Sequence, residues 1–236
     1  MSIIQDFLRY NRQTMLSEIG DEGQEKLKKS KVLVIGAGGL GCPVLQYIAT
    51  AGVGTIGIVD FDKIEIHNLH RQILYTEEQI GFPKASTAKS VIEKLNPLIK
   101  VLAFEEKITI ENAARIITDF DLVVDGSDNF STRYLVNDTC VTLGKTLVYG
   151  SILGFEGQLA IFNHLGSKHL RDLFPEPPNP KDVPNCNMNG VLGTLPGLIG
   201  LMMAHETLKL IIGLPTLKNE LVLFKTLDWS FTKLTF

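Results

Sequence analysis

The chain has 236 residues, 44% hydrophobic and 21% charged, which is enough apolar material to bury a core of good size. Its net charge of -3 argues against a nucleic-acid groove or a basic membrane-binding face. The first residues show no basic stretch followed by an apolar one, so no signal peptide is expected, and three cysteines are too few for a disulfide framework. A reducing cytoplasm is therefore the expected location, with neither nucleic acid nor membrane as partner.

Residues 6–29 read as amphipathic helix and turn, with Gly20 and Gly23 expected to break the pattern. Lys31 to Ile35 is a β-branched run suited to a buried parallel strand. Helical periodicity follows from Leu40 to Ala51, then a second strand from Thr55 to Val59, which completes a βαβ unit. Lys84 to Leu95 reads as a helix stopped by Asn96 and Pro97. Val101 to Phe104 and Leu122 to Asp125 read as strands around a helix at 110–117. A helix from Ser131 to Leu143 and a strand from Thr146 to Gly150 come next.

This alternation predicts an α/β fold: a Rossmann-like, doubly wound, mostly parallel sheet. After Gly150 the pattern changes, and Gly157 to Phe162 opens a mixed, more antiparallel C-terminal part. Residues 175–184 hold five of the ten prolines and are expected to form an extended, mobile crossover loop within 166–190. An aliphatic helix at 192–212, broken by His205, Glu206 and Lys209, is expected in a core or interface rather than a membrane. Strands at 220–224 and 227–234 close the chain. The expected organisation is one domain: an N-terminal helical segment (1–30), a nucleotide-binding core (31–150) and a part for the second substrate (151–236).

VLVIGAGGLG at 32–41 places Gly36, Gly38, Gly39 and Gly41 between a strand and a helix. Such a loop lets backbone approach phosphates at a helix N-terminus. Asp60 ends the second strand, where a carboxylate suits a ribose. The pattern so far also fits NAD. DFDKIEIHNLHRQ at 60–72 then adds Asp62, Asn68, Arg71 and Gln72, and GFPKA at 81–85 adds Lys84. A hydride-transfer enzyme has no use for two cations beside its cofactor's phosphates. Nucleotidyl transfer does, because charge gathers on the α-phosphate and the departing pyrophosphate. VVDGSDN at 123–129 puts Asp125 and Asp128 at a strand's C-terminal end, where a carboxylate suits magnesium. Each has an ordinary alternative: Arg71 and Lys84 as solvated charges, Asp128 as a helix cap. Together they form a sharper signal.

GAGGLGCP, DFDKIEIHNLHRQ, GFPKA and DGSDNFSTR, with RYNRQ at 9–13, resemble the ThiF/MoeB/HesA family, prokaryotic relatives of ubiquitin-activating E1 enzymes. The resemblance covers roughly residues 6–230 and implies ATP, magnesium, a homodimer, and adenylation of the C-terminal glycine of a ubiquitin-fold sulfur carrier ending in Gly-Gly. By the same resemblance, Gly38, Gly39 and Gly41 would approach the phosphates and Asp60 would hold the ribose. Asn68, Arg71 and Lys84 would bind the triphosphate with Gln72 beside them, and Asp128 would sit at the magnesium and the α-phosphate. Arg12 would reach the partner subunit's triphosphate in trans; its alternative is a surface arginine on an amphipathic helix.

The sequence departs from the family at the structural zinc that many relatives bind through two CxxC pairs. HLRD stands at 169–172 where the first pair falls, with His169 and Asp172 in the cysteine positions, and no second pair follows. No structural zinc is expected, and the sulfur donor is expected to be a separate protein. Cys186, in PNCNMNG at 184–190, falls where several relatives place a cysteine that links to the carrier. Two readings stay open for it: a transient covalent link, or a thiol that adenylation does not need. Cys42 and Cys140 read as core, and His67 and His70 as structural or surface. A thiamine-pathway (ThiS-like) carrier is preferred over a molybdopterin-pathway (MoaD-like) one. The readings from other classes are a NAD-dependent oxidoreductase and a non-catalytic E1-like scaffold.

Overall fold

The computed structural model describes residues 3–178 and 190–236. One eight-stranded sheet runs in the order β3-β2-β1-β4-β5-β6-β7-β8. Strands β1 (Lys31–Ile35), β2 (Thr55–Val59), β3 (Lys100–Phe104) and β4 (Leu122–Asp125) are mutually parallel, and β5 (Thr146–Leu153) extends them in parallel. Strands β6 (Glu156–Phe162), β7 (Glu220–Lys225) and β8 (Ser230–Thr235) then pair antiparallel. Strand order reverses between β1 and β4, which creates a crevice beyond the strands' C-terminal ends. Ligands bind in such crevices in open α/β sheets.

The parallel strands are near-continuous runs of buried aliphatics because helices cover both faces. One face carries α3 (Gly41–Thr50), α4 (Lys84–Leu95) and α8 (Thr194–Ile212); the other carries α5 (Ala113–Ile117) and α6 (Phe130–Leu143). Helix α8 has the length and apolarity of a membrane span, yet Leu195, Ile199 and Met203 on it are fully buried within the fold. It lies close against the sheet because the strands offer glycines there. A Cβ on Gly150 would fall 2.1 Å from the Met203 sulfur, and one on Gly157 would fall 2.3 Å from Ile199.

The structure differs from the sequence expectation at several boundaries. Gly20 stands at the break between α1 (Ile3–Thr14) and α2 (Gly20–Lys29), but Gly23 does not break the pattern, since α2 runs through it. Gly20 has φ +53 and turns the chain, while Gly23 packs near Ile19 and Ile212, where a Cβ would come 3.1 Å from Ile19. Helix α5 starts at Ala113 rather than Ile110, because Asn112 folds back to accept the Thr109 N–H at 2.7 Å. Strand β5 continues three residues past Gly150, paired with β6, and β8 starts only at Ser230 after a turn. The crossover segment contains one short helix, α7 (Leu170–Leu173); most of its proline-rich stretch lies outside the described residues.

Candidate active site

The glycine loop divides its labour. Gly41 faces the fold: a Cβ there would sit 1.9 Å from the Gly36 carbonyl oxygen, so only glycine lets α3 start against the strand end. Gly36, with φ +88, makes the turn and approaches Gly126 at the end of β4. Gly38 and Gly39 line the crevice itself. Leu40, at the start of α3, provides no side-chain cap, so the positive end of the helix is left for an anion.

Asp60 anchors this loop. One carboxylate oxygen accepts the Ala37 N–H and the other accepts the Asp62 N–H, both at 2.8 Å. Burial raises its carboxyl above the usual range, and the Lys84 charge and these two hydrogen bonds pull it back down. Lys84 opens α4 and is almost buried, with its ammonium 3.1 Å from Asp62. Its backbone N–H is held by the Asp62 carbonyl at 2.9 Å, so the strand end and the helix start form one unit.

Asn68 does not line the crevice. Its side chain accepts the Glu65 N–H at 3.1 Å, and its carbonyl accepts the N–H groups of Arg71 and Gln72 at 3.0 Å each. It thereby sets the turn that presents those two residues. Arg71 is half-buried on the wall, steadied by the His67 carbonyl at 2.9 Å and the His70 ring at 2.8 Å. Gln72 is 3% exposed, and its amide oxygen has no hydrogen-bond partner among the described residues. A buried acceptor left open at a cavity wall fits a ligand or water donor.

Asp125 ends β4 fully buried, and one oxygen accepts the Ser127 N–H at 2.9 Å. Burial pushes its carboxyl up, with Arg133 opposing. The cap of α6 is Asn129, which accepts the Thr132 N–H at 2.9 Å. Capping is thus not the work of Asp128, which is exposed on the crevice wall. Arg133, buried one turn into α6, was not singled out from sequence. It donates to the carbonyls of Gly150 at 2.8 Å and Ser127 at 2.5 Å, and stacks 4.9 Å over Tyr149. It ties the Asp128 loop to β5. Sequence gives no sign of its burial beyond its place in DGSDNFSTR.

The cavity so formed measures about 660 Å³. Its lining combines the glycine loop, Arg71, Lys84 and Asp128 with the apolar and aromatic side chains of Tyr134, Tyr149, Leu153, Leu170 and Phe174. Volume and mixed lining suit a nucleotide with part of a second substrate. Arg12 is exposed on α1 and does not line this chain's own cavity. Cys186 lies outside the described residues. Cys42 and Cys140 are fully buried, and burial pushes both thiols up to about 12. His67 and His70 are exposed. His169 and Asp172 meet in a backbone cap, the His169 N–H donating to the Asp172 carboxylate at 2.8 Å.

Residues 10–236 match the ThiF family model. The Thermus thermophilus "Sulfur carrier protein adenylyltransferase" is 51% identical over 96% of this chain and 86% of its own length. "Adenylyltransferase and sulfurtransferase MOCS3" of Culex quinquefasciatus is 49% identical over 97% of the chain, which spans only 52% of that relative. Among solved structures, E. coli MccB with ATP superposes with TM-score 0.84 over 96% of this chain and 71% of its own, at 22% identity, which shows a shared fold. The family match along nearly all of the sequence agrees with a glycine loop, paired cations and a carboxylate around one crevice: the chain belongs to the ThiF family and is an E1-like adenylyltransferase.

Proposed function

We propose that the chain uses ATP to adenylate the C-terminal glycine of a small ubiquitin-fold sulfur carrier. The observation that carries this reading is the mixed lining of the cavity. It joins the glycine loop, Lys84, Arg71 and Asp128 to apolar and aromatic side chains that would take an extended peptide tail. The Thermus relative's name supports the class of partner.

The chemistry asked of the protein is positioning and charge neutralisation. A C-terminal carboxylate has a pKa of about 3.5 and is ionised at neutral pH, so no general base is needed. Its oxygen bonds to the α-phosphorus as the bond to the bridging oxygen breaks. The products are a mixed carboxylic–phosphoric anhydride and pyrophosphate, which carries away the electron pair. Lys84, held rigidly at its backbone, and Arg71 offset charge on the phosphates, while the loop N–H groups and the start of α3 add fixed dipoles. Asp128 is an exposed acid on the cavity wall and fits a hard divalent cation. Magnesium held there would neutralise triphosphate charge. Asp60 and Asp62 close the nucleoside end.

We further propose a homodimer in which Arg12 reaches the partner's triphosphate; its exposure outside its own cavity supports this. The preferred carrier is thiamine-type (ThiS-like), with a molybdopterin-type (MoaD-like) carrier as the alternative. ATP–pyrophosphate exchange with each purified carrier and magnesium tests both partner and pathway. Exchange dependent on a ThiS-like carrier supports the preferred reading, exchange with only a MoaD-like one transfers the assignment, and exchange with neither overturns it.

A further inference from the structure

Helix α6 presents Tyr134, Asn137 and Asp138, a spacing that places them on one helical face. All three grip the segment that follows β6. The Asn137 side-chain oxygen accepts the Leu170 N–H at 3.0 Å. The Asp138 carboxylate takes Arg171 through Nε and Nη2, both at 2.8 Å, in a fork-to-fork pair. The Tyr134 hydroxyl donates to the carbonyls of Phe174 at 2.9 Å and Glu176 at 2.8 Å. Arg171 closes the network, donating to the Pro175 carbonyl at 2.8 Å with its guanidinium 4.8 Å over the Tyr134 ring. Its hydrogen bonds hold the Asp138 carboxyl below the usual carboxylate range.

The gripped segment is a wall of the cavity. Leu170, Leu173, Phe174 and Pro175 line it. Helix α6 is also the element whose N-terminus follows Asp128. One helix therefore connects the loop that carries Asp128 to the side chains that hold the 170–176 segment, with Asp138 about 12 Å along the axis from Phe130 at helical rise. The clasp is centred on HLRD, the sequence that stands where many relatives are expected to place a metal-binding pair, and it is built of side-chain hydrogen bonds, Arg171 ion pairs to Asp138 and Glu176, and the contact with the Tyr134 ring.

We propose that Arg171 and Asp138 are positioning residues: their pair fixes the 170–176 wall on α6 and so sets the fit of the acyl substrate's tail, leaving the nucleotide side untouched. The identity of that substrate rests on the adenylation reading; the clasp itself does not.

The test compares wild type with Arg171→Met, Asp138→Asn and the double variant. Amide hydrogen exchange over 170–176 is read beside carrier-dependent ATP–pyrophosphate exchange. Faster amide exchange confined to that segment is expected, with the carrier KM raised about 5- to 10-fold. The ATP KM should stay within about two-fold, and the double variant should be no worse than the worse single one, the mark of a coupled pair. Unchanged protection at 170–176, equal shifts in both KM values, or additive single effects would overturn the proposal. A wild type that turns over no carrier would instead sink the adenylation reading, and amide protection would then decide the clasp alone.

Discussion

The Tyr75 hydroxyl donates to the Ala37 carbonyl at 2.8 Å and lies 3.3 Å from that of Lys84, so one buried phenol bridges the glycine loop and the first residue of α4. Ala37 is held at both ends, its N–H by Asp60 and its carbonyl by Tyr75, with the Cys42 thiol 3.4 Å away as a weaker second donor. The two groups expected to meet phosphate are thus set relative to each other before any nucleotide arrives. Tyr75→Phe keeps the ring and removes the bridge. The ATP KM should rise roughly 2- to 10-fold, the worth of one hydrogen bond, while the carrier KM stays put. A fall in Tm with both KM values unchanged would reduce Tyr75 to a packing role.

Gly38 and Gly41 belong to one motif yet should fail differently. At Gly38 the nearest atom to a new Cβ is 3.6 Å away, so the fold tolerates alanine, but the methyl intrudes where phosphates approach. Gly38→Ala should weaken ATP binding with Tm nearly unchanged. Gly41→Ala drives a methyl into backbone at 1.9 Å and should cost about 1–3 kcal/mol of stability. Thermal melts beside nucleotide titrations separate the two; a Gly38→Ala variant that melts as early as Gly41→Ala contradicts the division.

The buried thiols give a pH signature. Cys42 and Cys140 stay protonated in the fold up to about 12, whereas an unfolded thiol titrates near about 8.5. Between those values the native state holds more protons than the unfolded one, so stability falls as pH rises from about 8.5 towards 12. Replacing both with alanine should flatten that fall. In native protein at pH 8, a thiol reagent should modify no more than one of the three cysteines, Cys186, and all three after unfolding. Native modification of Cys42 or Cys140 would contradict their placement.

If Arg12 acts across a dimer, mixing two dead variants should restore activity. Arg12→Ala and Arg71→Ala homodimers should each lose most exchange activity. Heterodimers formed by mixing them carry one site with both arginines, so activity should recover to about a quarter of wild type at equal mixing, by chance pairing of subunits. No recovery, with subunit exchange confirmed by mass, places Arg12 in its own chain's chemistry or in none.

Much of the sheet was legible because parallel strands buried on both faces leave unbroken aliphatic runs, as in Lys31–Ile35 and Leu122–Asp125. Helix ends were less so: Gly23 sits inside α2, where a Cβ would come 3.1 Å from the Ile19 side chain, a closeness that residue types alone do not show. At the site, residue types in motif order singled out Lys84, Arg71, Gln72 and Asp128 as nucleotide-binding, and the structure sets all four on the cavity wall. Sequence could not show that Asn68 would serve the turn behind them, or that Asn129 would take the cap from Asp128. Tyr75, Arg133 and Arg171 were missed because a buried phenol or a paired arginine leaves no local pattern. Their partners lie 38, 17 and 33 residues away in the chain.

The central claim is that a carrier carboxylate attacks the α-phosphorus of ATP. The most direct measurement follows ATP radiolabelled at either the α or the γ phosphate through a single turnover with magnesium and the active carrier. The account predicts that α label, and not γ label, travels with the carrier, that γ label leaves as pyrophosphate, and that Lys84→Met abolishes both transfers. Carrier labelled from the γ position, or pyrophosphate released with no label on the carrier at any time, would contradict it.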